Sequence, residues 1–189
     1  MLAVLTGPVR SGKSRLALEL ARSTGVPVLV AVAGAADDPE MIRRIARHRA
    51  DRPSDVRVLE IADARNWRTD VTAGACLVVD CLGTLVARLM DSALGPMDDL
   101  VDEADEAALQ RAVDEVVDWL VSREGHTVVV TNEVGWGIVP AHPSGRLFRD
   151  VVGRANARLV ANADGAWLVV AGQAIDLKTG SADVRWPQT

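Results

Sequence analysis

Gly7-Pro8-Val9-Arg10-Ser11-Gly12-Lys13-Ser14 decides the fold. The stretch spells G-x-x-x-x-G-K-[ST]. In such a loop, successive backbone N–H groups and the N-terminus of the following helix form a seat for polyphosphate. The flanks agree with this reading. Leu2-Ala3-Val4-Leu5-Thr6 is an apolar run of strand length ahead of the first glycine. After the loop, apolar residues at 16, 17, 20 and 21 mark one face of a helix. Of the 21 basic side chains only Lys13 and Lys178 are lysine. A composition that otherwise writes Arg keeps a compact ammonium where a planar guanidinium has the wrong shape. Lys13 is therefore expected at the outer phosphates and the Ser14 hydroxyl on Mg²⁺, with a nucleoside triphosphate as ligand.

Working outward, strand-like runs fall at 2–6, 28–33, 56–61, 76–80, 127–131 and 166–171. Most are continuously apolar rather than alternating, as strands covered on both faces of a parallel sheet are. Helical stretches lie between them at 14–23, 38–50, 81–91, 104–123 and 145–161. In the fourth, Leu109, Ala112, Val113, Val116, Val117 and Leu120 recur at one-face spacing. The pattern predicts an α/β fold of the P-loop NTPase, RecA-like kind: a doubly wound, mostly parallel sheet with helices on both faces. The 189 residues suit one nucleotide-binding catalytic domain over 1–189, with no repeat or linker-like tract.

A net charge of −5 with no long basic run argues against general nucleic-acid binding. No apolar stretch reaches the length of a membrane span and no signal-type segment opens the chain, so a cytoplasmic protein is expected. Cys76 and Cys81 lack metal-ligand spacing and read as two buried thiols. The acidic segment Asp91–Glu106, which contains Gly95-Pro96, reads as a surface connection.

Three further places could carry chemistry. Cys76-Leu77-Val78-Val79-Asp80 is an apolar strand ending in a carboxylate, the position from which phosphate-loop enzymes hold Mg²⁺. Arg43, Arg44, Arg47, Arg49 and Arg52 surround His48. On spacing alone that cluster reads first as a solvated helix face, and otherwise as a concentration of phosphate-pairing groups around an imidazole nucleophile. Asn132-Glu133-Val134-Gly135-Trp136-Gly137-Ile138-Val139-Pro140 follows the strand at 127–131, where parallel sheets carry ligand loops. Trp136 is the one tryptophan of five placed as a ligand contact.

Taken in order, several blocks resemble one family. They are Thr6–Arg15, Asp38-Pro39-Glu40-Met41 leading into Arg44-Ile45-Ala46-Arg47-His48, Arg52-Pro53, Val79-Asp80-Cys81-Leu82, Thr131–Pro140 and Gly145–Asn156. The sequence is similar to the bifunctional adenosylcobinamide kinases / adenosylcobinamide-phosphate guanylyltransferases of cobalamin assembly. The resemblance implies phosphorylation of the aminopropanol hydroxyl of adenosylcobinamide by ATP or GTP. GMP from GTP is then joined to adenosylcobinamide phosphate through a guanylyl-histidine, which matches His48 here. It implies His48, Lys13 and Asp80 as catalytic, and Ser14 and Asp80 as Mg²⁺ ligands. The implied nucleotide contacts are Gly7, Pro8, Val9, Arg10, Ser11, Gly12, Lys13, Ser14, Ala33, Gly34, Ala35, Arg49, Ala50, Asp51, Arg52, Glu60 and Asp80. It also implies a homo-oligomer, the family tending to trimers. Asn132 and Glu133 are placed by inference near the corrinoid or the transferring phosphate.

Three departures from the family pattern bear on substrate preference. Ala33-Gly34-Ala35 lacks the usual hydroxyl-bearing pair, Pro39 separates Asp38 from Glu40, and Ala157 replaces a frequent Gln. Two other readings compete: a monofunctional phosphate-loop kinase that would not need His48, and a nucleotide-gated switch without a small-molecule substrate.

Overall fold

The computed structural model describes residues 1–34, 56–94 and 102–180. Within these residues seven strands form one sheet: β1 (Leu2–Thr6), β2 (Val28–Val32), β3 (Arg57–Glu60), β4 (Cys76–Asp80), β5 (Thr127–Val130), β6 (Gly165–Val170) and β7 (Gln173–Asp176). Among the described residues four α-helices accompany them: α1 (Lys13–Arg22), α2 (Leu82–Leu94), α3 (Glu103–Ser122) and α4 (Pro143–Asn162), and the helix expected at 38–50 lies outside those residues. A short 3₁₀ turn, Trp67–Asp70, precedes β4. The strand order is β3-β2-β4-β5-β1-β6-β7, parallel throughout except for β7. The expected doubly wound, mostly parallel sheet is what the chain forms.

Strand period places alternate residues on opposite faces, and each face has its own core. Leu2, Val4, Leu77, Val79 and Val129 point to the face covered by α2, α3 and α4. Leu5, Val78, Val128 and Val130 point to the face of α1, which meets them with Ala17 and Ala21. These small residues let α1 lie close to the sheet. Leu85 and Leu89 on α2, Leu109 and Leu120 on α3 and Leu159 on α4 are all essentially solvent-free. Each such side chain contributes about 1.5–3 kcal/mol by burial. Trp67 is buried against the edge of Trp119, ring centroids 5.3 Å apart at 74°.

The start of α3 belongs to the acidic stretch read as a surface connection. Asp102 accepts from the Asp105 backbone and Asp105 accepts from that of Asp102, a capping box. The carboxylates in the first turn also face the positive end of the helix dipole. Residues 95–101 lie outside the described residues.

β7 was not expected from sequence. It returns on β6 through Ala171-Gly172, both at positive φ (51° and 79°), a two-residue turn whose twist suits a hairpin. The hairpin then serves the loop at 7–14, because Gly172 N–H donates to the Ser11 carbonyl at 2.8 Å. Of the two cysteines, Cys76 is fully buried as expected, whereas Cys81 is only partly so. Burial pushes the Cys76 thiol up, against the smaller opposing effects of a Thr24 hydrogen bond and the Arg123 charge.

Candidate active site

The chain leaves β1, passes through α1 and re-enters the sheet at β2, beyond β5 and β4. Later it leaves β5 and returns as β6 on the other side of β1. The connections thus reverse direction at β1, and in open α/β sheets ligands bind beyond the carboxyl ends of the strands at such reversals. The loop 7–14 fills this place.

Its geometry depends on two glycines. Gly7 has φ 142°, and a Cβ there would lie 2.3 Å from the Val169 carbonyl oxygen. Gly12 has φ 99° and immediately precedes α1. Arg10 also takes a positive φ of 58°. Lys13 is buried, its Nζ donating to the carbonyl oxygens of Gly7 at 2.9 Å and Pro8 at 2.7 Å. The ammonium thus lies curled within its own loop. Pro8, Val9 and Arg10 are exposed along the rim.

Ser14, the second residue of α1, donates through Oγ to Asp80 Oδ1 at 3.1 Å. Asp80 ends β4, and both groups are part-exposed. This pairing tests whether Mg²⁺ fits. The ion takes hard oxygen ligands, commonly one or two carboxylates completed by substrate phosphates and water. A hydroxyl and a carboxylate oxygen beside a phosphate loop meet that need. Among the described residues no group of three or more His, Cys, Asp or Glu side chains is arranged to hold a metal ion. Ser14 and Asp80 thus suit an ion that takes its remaining ligands from phosphates and water.

Ala33 and Gly34 follow β2, and Glu60 ends β3 in register with Val32. Both lie at the same carboxyl edge as Asp80, on neighbouring strands. Ala35, His48, Arg49, Ala50, Asp51 and Arg52 lie outside the described residues. So do the other arginines of that cluster and Trp186.

Asn132 and Glu133, expected near the corrinoid or the transferring phosphate, belong to a second network beside the loop whose other members, Thr6, Thr131 and Asn156, sequence reading gave no role there. Asn156, on α4, is 5% exposed and accepts from Thr131 Oγ1 at 2.6 Å. Its Nδ2 donates to the Asn132 carbonyl at 3.0 Å and to Glu133 Oε1 at 3.3 Å. Thr6 Oγ1 donates to the same Glu133 oxygen at 2.8 Å. Glu133 N–H, in turn, donates to the Gly7 carbonyl at 3.2 Å. Glu133 is thereby fixed to the first residue of the phosphate loop. Beyond it the loop is open: Trp136 is 71% and Ile138 98% exposed.

Residues 3–177 match the family model described as cobinamide kinase / cobinamide phosphate guanyltransferase. The chain belongs to this family. Membership makes it an enzyme of cobalamin biosynthesis with kinase and guanyltransferase activities. It is 37% identical over 189 residues to the bifunctional adenosylcobalamin biosynthesis protein CobU of Salmonella typhimurium, covering 94% of this chain and 100% of that one. It is 34% identical to CobU of Escherichia coli K12, with the same coverage. CobP of Pseudomonas aeruginosa is also 34% identical, over 94% of this chain and 98% of its own length. Among solved structures the chain is similar to the P4 protein of bacteriophage phi6 in complex with ADP, at 16% identity and a TM-score of 0.39. That likeness covers 92% of this chain and 52% of the other. No described helix of this family member is long and apolar enough to cross a membrane.

Proposed function

We propose that the chain phosphorylates the aminopropanol hydroxyl of adenosylcobinamide with ATP or GTP, then transfers GMP from GTP to the resulting phosphate. Both reactions are assigned to one catalytic domain. The observation that carries the reading is the Ser14–Asp80 hydrogen bond at 3.1 Å beside the Lys13 loop. It supports a site built for a triphosphate with a divalent cation.

In the first reaction the loop amides of Gly7–Ser14 bind and orient the nucleotide. Lys13 leaves its carbonyl partners for the outer phosphates, where an ammonium offsets the negative charge developing in transfer. Ser14 and Asp80 would hold Mg²⁺, which when bound neutralises phosphate charge. Ala33, Gly34, Ala35, Glu60 and the segment Arg49–Arg52 are assigned to the rest of the nucleotide.

In the second reaction His48 is assigned as the nucleophile. A neutral imidazole attacks the α-phosphorus of GTP, the bond from that phosphorus to pyrophosphate breaks, and a guanylyl-histidine forms. The phosphate of adenosylcobinamide phosphate then displaces the histidine. Arginine is always charged and cannot serve in this way, which is what singles out His48 among Arg43, Arg44, Arg47, Arg49 and Arg52.

The test uses Mg²⁺ and α-labelled GTP with denaturation before readout. Acid-labile, alkali-stable label on the protein, lost in His48→Ala, is the expected result. An unlabelled protein that still binds GTP would remove the guanylyl-histidine. A homo-oligomer, which the family resemblance implies, is read by sedimentation of the native protein.

A further inference from the structure

We propose that Glu133 is the general base of the kinase reaction, taking the proton from the substrate hydroxyl; this rests on the function proposed above. Three observations converge on it. The first is place. Strand order β4-β5-β1 puts Glu133, three residues beyond the end of β5, between Asp80 on β4 and the phosphate loop after β1. The second is its tie to the loop. The Gly7 carbonyl accepts from both Glu133 N–H and Lys13 Nζ. The backbone of Glu133 and the ammonium destined for the outer phosphates therefore share one oxygen.

The third is how the carboxylate is held. Oε1 accepts from Thr6 Oγ1 at 2.8 Å and from Asn156 Nδ2 at 3.3 Å. Oε2 has no hydrogen-bond partner among the described residues, and the side chain is only partly buried. One oxygen anchors the group and the other is presented. Phosphoryl transfer asks for little more than a residue that orients the attacking hydroxyl and receives its proton.

The step balances as follows. The substrate O–H bond breaks and its proton passes to Glu133 Oε2. The freed electron pair on oxygen forms the bond to the γ-phosphorus. The bond from that phosphorus to the β,γ-bridging oxygen breaks, and its pair leaves with the nucleoside diphosphate. Glu133 then gives its proton to water.

Glu133→Gln tests this, because its amide oxygen can still accept from Thr6 and Asn156. With ATP and adenosylcobinamide, kcat for nucleoside diphosphate formation should fall about 100-fold or more. The Kd for ATP with Mg²⁺ should stay within about threefold. In Glu133→Ala, added formate should restore part of the lost rate, which a merely structural side chain would not allow. A Gln variant that keeps kcat within about threefold would overturn the assignment, as would parallel loss of ATP binding. Wild-type protein that fails to phosphorylate adenosylcobinamide at all would instead overturn the function on which the assignment rests.

Discussion

Asn156→Asp changes one atom type at the centre of the network and leaves its shape intact. Oδ1 still accepts from Thr131 Oγ1, so that bond, at 2.6 Å, survives. What is lost lies on the other side, where Nδ2 donates to the Asn132 carbonyl at 3.0 Å and to Glu133 Oε1 at 3.3 Å. Losing both donations costs about 3 kcal/mol, since one acceptor is a carboxylate and the other is left unpaired. Two carboxylates in that contact add roughly 1–2 kcal/mol once solvent around the part-exposed Glu133 is allowed for. The total, about 4–5 kcal/mol near neutral pH, is a large share of an ordinary domain's stability.

The sign with pH follows from the same atoms. Burial and the facing carboxylate both disfavour the ionised form of the new side chain, so its folded-state pKa stands above the unfolded value of about 3.9. A raised acid contributes stability that is full below the unfolded value and lost as pH rises through the folded one. Below that point the protonated carboxyl also donates an O–H in place of the lost N–H. The deficit against wild type should therefore be largest at pH 8 and shrink at pH 5. Urea unfolding followed by tryptophan fluorescence at both values measures it. A deficit below about 1 kcal/mol at pH 8, or one equal at the two pH values, would refute the reasoning.

Two other substitution and labelling outcomes follow from the loop and its strands. Gly7→Ala places a methyl 2.3 Å from the Val169 carbonyl at φ 142°, and should lower stability by about 2–5 kcal/mol. An unchanged melting temperature would show that the loop can shift without cost. In the folded protein a thiol reagent should modify Cys81, which is part-exposed beside Asp80, and spare Cys76. Denaturant should bring the count to two. Because burial raises the Cys76 thiol, the neutral form is favoured in the fold, and the associated stability is present below the unfolded value of about 8.5 and declines as pH rises past the folded one. Rapid labelling of Cys76 in native protein at pH 8 would contradict its enclosure.

What could be read before folding was whatever a short stretch carries by itself. The loop at 7–14 announces its glycines, lysine and hydroxyl in eight residues, and a strand such as Cys76–Asp80 announces its burial in five. β7 does not. Gln173-Ala174-Ile175-Asp176 carries one large apolar residue, and the turn before it uses Ala171 at positive φ where an Asn or Gly would have signalled the hairpin. The start of α3 was legible to one residue, 104 against Glu103, but the Asp102–Asp105 capping box that fixes it is hidden in a run of like charges. The grip on Glu133 is a different matter. Thr6 lies 127 residues before it and Asn156 lies 23 residues after it. Nothing in the local pattern of an Asn on a helix whose neighbours Val152, Ala155 and Leu159 are buried says which carboxylate it will hold. Only the placing of β5 between β4 and β1 brings the three together. The residues that chemically engage phosphate are thus written locally, because the phosphate loop is a local structure. The residue proposed to act on the substrate hydroxyl is positioned by the sheet, and its role emerges only when the strand order is known.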